Sequence, residues 1–159
     1  MSPITSENAP KRVIFRLRSI IWIAAGALAL TVIGVHYVWV DYRQARTSTE
    51  AFHGRMDRGQ YSEIADAAAD GFRSGLTQDQ LIGFLRRISL KLGTCSEASS
   101  DLAGFQITTL GSTPSRLVTT TSSRMCANGF LSEEFVWQII GGRAILLRYT
   151  ATNPLLLSE

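Results

Sequence analysis

The chain has 159 residues, 45% of them hydrophobic and 18% charged, with a formal net charge of +3. Lys11, Arg12, Arg16 and Arg18 stand against Glu7 before residue 19, whereas residues 41–159 hold 12 basic and 12 acidic side chains. The excess charge therefore belongs to the N-terminal tail, which excludes the basic surface of a nucleic-acid-binding domain.

Residues 1–10 are polar, with Pro3 and Pro10, and residues 1–18 read as a disordered basic tail. Ser19 to Val40 follow, 22 residues without one Asp, Glu, Lys or Arg. As a helix this run is about 33 Å long at ~1.5 Å per residue, enough for a hydrocarbon core of ~30 Å. Its expected partner is a lipid bilayer. Trp22 lies near one end, and Tyr37 and Trp39 near the other, where amphipathic rings favour headgroups. His36, near the outer end, reads as an interfacial side chain. A cleaved signal peptide is the competing reading. Its apolar core runs ~7–15 residues up to a small-x-small site. Here the best such site, Ala25-x-Ala27, falls inside a longer apolar run.

The basic tail places the N-terminus in the cytoplasm and residues 41–159 outside it. The bias narrows beyond the span, where Arg43, Arg46, Arg55 and Arg58 follow. Arg outnumbers Lys by 14 to 2, which points to a GC-rich bacterial coding sequence. The expected location is a bacterial inner membrane, with the C-terminal domain in the periplasm.

No Gly or Pro interrupts residues 41–53, and the span is expected to run on as a helical connector over 41–58. An α+β domain over 59–159 comes next. Tyr61, Ile64, Ala65 and Ala68 share one helical face, with Gly71 or Gly75 as the stop. Thr77 with Gln80 forms a capping box ahead of the stripe Leu81, Phe84, Leu85, Ile88 and Leu92, and Gly93 ends that helix. The texture then turns to strand: 105–110, 116–126, 130–140 and 143–152, with Asn128-Gly129 and Gly141-Gly142 as hairpin turns. The expected architecture is about three helices packed on a curved four-stranded antiparallel meander behind a single transmembrane helix. If Gly141-Gly142 is a two-residue turn, Ile140 pairs with Arg143, Trp137 faces Leu146 and Val136 faces Leu147.

Residues 54–152 carry a wider pattern. It runs Gly59-x-Tyr61, Phe72, Thr77-x-x-Gln80-Leu81 and Leu92-Gly93. It continues with Gly129-x-x-x-Glu133-x-Phe135-x-Trp137 and Leu146-x-x-Tyr149. This resembles exported bacterial domains of the cystatin-like or nuclear-transport-factor-2-like (SnoaL-like) α+β superfamily. The resemblance implies a curved sheet wrapped on a helix. It implies no catalytic residue, because the matched positions are core and turn positions.

The two cysteines, Cys95 and Cys126, both belong to the exported part. A disulfide is the expected state, with two inert thiols or half of a metal site as alternatives. His53 is the one histidine of the exported part and no second cysteine pair exists, which disfavours zinc. Glu50, His53 and Asp57 fall at i, i+3 and i+7 on one helix face. Such a set binds a metal or relays a proton, or it is a solvated polar face. Tyr61, Asp66 and Tyr149 are candidate pocket residues, and Glu133 or Glu134 is expected to pair with Arg148. No cofactor motif is present.

Two functions fit: a non-catalytic, membrane-tethered interaction module, working as a homodimer or with a membrane-protein partner through the sheet face, or a small ligand-binding or isomerase-, dehydratase- or hydrolase-like pocket domain. The neutral domain surface favours the first. The topology is directly testable. A reporter active only in the periplasm, fused after Glu159, should be active; activity of a cytoplasm-only reporter there would reverse the orientation.

Overall fold

The computed structural model describes residues 9–68, 77–96, 99–110 and 113–157. Helix α1 runs unbroken from Ala9 to Asp57, 49 residues. It begins within the predicted tail, so that tail is helical from Ala9 onward; extending a helix past its nucleus costs little per residue. By contacts the chain divides into two compact units, Met1–Trp39 and Val40–Glu159. α1 is long and apolar enough, over Ala25–Asp57, to cross a membrane. Trp22 and Leu30, in the first unit, are exposed at 76% and 72%.

The second unit is α+β. The rest of α1 is followed by α2 (Tyr61–Ala67), α3 (Gln78–Leu92), β1 (Ser99–Leu110), β2 (Thr113–Cys126), β3 (Gly129–Ile140), β4 (Arg143–Thr152) and α4 (Pro154–Leu157). The strands form one antiparallel sheet in the order β1-β2-β3-β4. The helix count among the described residues is four, because the predicted connector is the end of α1 itself. The final residues form the short helix α4.

α3 forms as its sequence dictates. The Thr77 hydroxyl accepts from the Gln80 N–H at 3.2 Å, and the Gln80 side chain accepts from the Thr77 N–H at 2.7 Å. Leu81, Leu85, Ile88 and Leu92 are buried on one stripe. Gly93 stops the helix at a φ of 73°, a left-handed value that a side chain would strain. α2 ends at Ala67, short of the predicted glycines, of which Gly71 and Gly75 lie outside the described residues. Ala68 is extended and makes a parallel bridge to Leu146. Pairing with the margin of β4 there outweighs continued helix.

Two turns show how the register is fixed. Gly141 and Gly142 both take positive φ, 56° and 75°, and Ile140 pairs with Arg143. At the other hairpin, Cys126 pairs with Gly129, so the turn residues are Ala127 and Asn128, one position earlier than Asn128-Gly129 suggests. The reason is that Asn128 has another task. Its N–H donates to the Leu92 carbonyl at 3.0 Å and its side-chain amide to the Lys91 carbonyl at 2.9 Å. Asn128 thus satisfies carbonyls that the end of α3 leaves open.

The predicted pairing of Trp137 with Leu146 is present, but Val136 pairs with Arg148 instead of Leu147. A bulge at Leu147 causes the shift. Without it, Phe135 would oppose Arg148 and a guanidinium would enter the core. With it, Phe135 opposes Tyr149, and Arg148 turns outward to Glu134 at 3.1 Å.

Cys95 and Cys126 are joined in a disulfide across an isolated antiparallel bridge. It closes a loop across a sequence separation of 31, just after α3 ends. The chain-entropy model values such a loop at roughly 3–4 kcal/mol. Protein made in an oxidising compartment should show no free thiol under denaturing, non-reducing labelling. The double substitution to Ser should lower unfolding free energy by about that amount; an unchanged denaturation midpoint would remove the staple role.

Candidate functional site

The buried stripe of α1 beyond residue 40 is unusual in being half polar: Asp41, Ala45, Thr49, Phe52, His53 and Met56 are all buried. A buried polar side chain needs a hydrogen-bonding partner, and the sheet supplies one at nearly every level. Asp41 meets the Arg116 guanidinium at 3.0 Å, though its Oδ2 is not aligned to accept a hydrogen bond. Thr49 and Thr120 hydroxyls lie 3.2 Å apart, and the Trp137 indole N–H donates to both, at 3.1 and 3.3 Å. Thr49 in turn donates to the Ala45 carbonyl. At the far end, the Arg124 guanidinium donates to both Asp57 oxygens, at 3.1 and 3.0 Å, and to the Ser96 carbonyl.

Between these contacts lies the strongest acid–base constellation among the described residues. Glu133 stands in the inward row of β3, with Leu131, Phe135, Trp137 and Ile139. Its Oε2 is 2.7 Å from His53 Nε2, and its Oε1 accepts from the Tyr149 hydroxyl at 2.7 Å. Against an ionised carboxylate, which only accepts, Nε2 would be the donor. Among the described residues His53 Nδ1 is buried with no hydrogen-bond partner, as is the Ser122 hydroxyl directly across the ladder from Glu133. Aromatic rings close the surroundings. Phe135 meets the His53 ring edge-on at 5.5 Å and stacks on Trp137 at 5.8 Å, while Phe52 lies 4.9 Å from Tyr149. Burial raises the Tyr149 hydroxyl well above the ordinary phenol range. The charge of Glu133 and the hydrogen bond to it push the same way, and Arg124 opposes them.

A His–Glu–Tyr chain can move a proton, but catalysis requires that one member touch a substrate. Here His53, Glu133 and Tyr149 are 5%, 2% and 7% exposed. A half-open groove of about 250 Å³ passes nearby between α1, α2, β3 and β4, with Phe52 and Trp137 in its wall. None of the three acid–base residues lines it.

The predicted set Glu50, His53 and Asp57 is divided among separate partners. Glu50 is exposed and pairs with Arg46 at 3.0 Å, His53 is buried on Glu133, and Asp57 holds Arg124. Among the described residues no group of three or more His, Cys, Asp or Glu side chains is arranged to hold a metal. Of the pocket candidates, Tyr61 packs against the core and Asp66 accepts from Gln78 at 2.6 Å, joining α2 to α3. Tyr149 alone reaches the acid–base cluster. The predicted partner of Arg148 is Glu134, while Glu133 points inward. Sequence reasoning missed Glu133 as the hub. Its parity with Leu131, Phe135 and Trp137 was the available signal.

No family model, curated protein or solved structure matches the chain.

The raised Tyr149 pKa has a testable sign. Below about pH 10 the phenol is protonated in both folded and unfolded chains. Above that, the unfolded chain loses the proton while the folded one keeps it, so unfolding releases protons and stability falls as pH rises. Tyr149→Phe should flatten this alkaline loss in denaturant titrations. At neutral pH it should cost about 1–3 kcal/mol, because Glu133 loses a donor. An alkaline slope identical to wild type would assign it to other groups.

Proposed function

We propose that this protein is a membrane-tethered, non-catalytic interaction module. Its N-terminus lies in the cytoplasm and its α+β domain on the outer side of a bacterial inner membrane. One observation carries the reading: the acid–base cluster is sealed in the core and absent from the groove, so its chemistry serves the fold. The helix that carries the apolar stretch also buries one face in the domain core, which supports the tether. A long helix laid on a four-stranded antiparallel meander is consistent with a cystatin-like or nuclear-transport-factor-2-like domain.

A second reading rests on the groove itself. Thr47, Ser48 and Arg55 border it over a floor of Phe52, Ile64, Trp137 and Leu146. A small ligand with an apolar body and an anionic group matches that lining. The volume, about 250 Å³, is below the ~300–1,000 Å³ of typical ligand pockets, which favours the module.

Complementation of a deletion strain separates the readings. Folded Glu133→Gln and His53→Asn proteins should restore function to within about twofold of wild type, since neither touches a substrate. Replacing residues 1–40 with a cleaved signal peptide should abolish it. Abundant, folded but inactive Glu133→Gln protein would instead favour catalysis, and full function from the released domain would remove the tether.

A further inference from the structure

The sheet ends on one side in β1, whose outer margin has no strand beside it among the described residues. The direction of its backbone groups follows from the neighbouring ladder. Ser96 N–H donates to the Met125 carbonyl at 2.8 Å and Ala127 N–H to the Thr94 carbonyl at 2.9 Å. Odd-numbered residues at the end of β2 therefore bond toward the β1 side. Antiparallel bonding alternates, so Thr121 and Thr119 bond their partners Asp101 and Gly104 in the same direction. Ser100, Leu102, Phe105 and Ile107 oppose the intervening residues Ser122, Thr120, Val118 and Arg116, and so turn their N–H and C=O groups away from β2. The Tyr42 hydroxyl takes the Ser100 carbonyl at 2.9 Å. Among the described residues no protein group reaches those of Leu102, Phe105 and Ile107.

The side chains at this margin are poorly protected as well. Leu102 and Ile107 belong to the sheet face that carries the core, yet they are 42% and 69% exposed. Natural edge strands are usually blocked by Lys, Pro or short length. β1 is 12 residues long, contains no Lys, Arg or Pro, and has Asp101 as its one charge.

We propose that β1 pairs antiparallel with β1 of a second copy of this chain, about a two-fold axis at Phe105, doubling the four-stranded sheet. The register follows from β1 itself. With Phe105 opposite its counterpart, Gln106 meets Gly104, Ile107 meets Leu102 and Thr108 meets Asp101. Ala103 bulges outward, as it does against β2, where the register shifts between Leu102 and Gly104. In this arrangement the outward-turned backbone groups of Phe105 meet each other, and those of Ile107 meet those of Leu102. The two exposed apolar side chains then cover one another twice, which is the self-complementarity an isologous contact requires. The bulge makes this possible, because it places Leu102 and Ile107 on the same face despite their odd separation. The inference rests on the tethered-module reading, since copies sharing a bilayer meet at raised effective concentration.

The test uses the full chain in lipid nanodiscs or mild detergent. Light scattering should give the protein mass of two chains. Phe105→Cys should cross-link to itself on mild oxidation faster than Thr150→Cys, an exposed control on β4, the other edge strand. Cys95 and Cys126 are bridged to each other and do not interfere. Ile107→Lys should raise the dimer dissociation constant at least about a hundredfold, because the change enters the contact twice. The monomer should keep the unfolding midpoint of dissociated wild type, since Ile107 is exposed and its N–H does not serve β2. A wild type that is monomeric at about 100 µM, a range reached by weak but specific contacts, would overturn the pairing. So would a dimer that Ile107→Lys leaves intact. Either result would leave the tethered module standing, because that reading fails on the released-domain complementation instead.

Discussion

A single buried carboxylate, Glu133, fixes how the central helix lies on the sheet. It needs donors, and it draws them from two different elements: His53 on α1 and Tyr149 on β4. An ionised group left unpaired in such a place costs several kcal/mol. Turning α1 by one residue would present Phe52 or Gly54 to Glu133, and neither can donate from its side chain. Thr49 with Trp137 and Asp57 with Arg124 impose the same register at other points along the helix. An apolar interface would tolerate sliding far better. The polar contacts therefore contribute chiefly to uniqueness, while Phe135, Leu81, Leu85, Leu92 and Leu131, among the largest fully buried side chains, supply most of the apolar burial.

The sheet is adjusted to the same end. Strict alternation in β4 would send Leu146 and Arg148 to one face. The bulge at Leu147 replaces Arg148 with Tyr149 on the inner face, which brings the phenol to Glu133. β1 carries a comparable irregularity between Leu102 and Gly104. Each bulge forfeits regular pairing at one residue and gains a specific side chain in a specific place. At β4 the gain is a satisfied hydrogen bond inside the core. At β1 it is two apolar side chains brought to one face at the margin.

Much of this domain is legible in its sequence wherever one local rule acts alone. The capping box at Thr77 and Gln80, the stop at Gly93 and the Gly141-Gly142 turn are each decided within a few residues. The 41–57 part of α1 is harder, because its buried stripe contains as many polar as apolar residues, and hydrophobic periodicity cannot register Asp41, Thr49 or His53 as inward. Glu50, His53 and Asp57 look like one face by spacing, but only the sheet reveals that Glu50 points to solvent while the others are claimed by Glu133 and Arg124. The Leu147 bulge is invisible for a related reason. Its cause is a partner on another strand, and alternation read along β4 alone places Arg148 in the core.

The same helix that carries no Asp, Glu, Lys or Arg from Ser19 to Val40 becomes indispensable to the core after it. Without the segment from Ala45 to Asp57, Glu133 would lose His53, the Trp137 indole would lose Thr49, and Arg124 would lose its carboxylate. Phe52 and Met56 would leave the apolar core at the same time. Several buried polar groups would thus be orphaned together with the loss of apolar packing, and each unpaired group costs about 1–3 kcal/mol, more for the charged ones. That sum approaches the whole stability of a small domain, about 5–15 kcal/mol. Any cleavage that releases an intact domain must therefore fall on the N-terminal side of Ala45. The apolar stretch and the fold thus share one element, because α1 runs unbroken from Ala9 to Asp57.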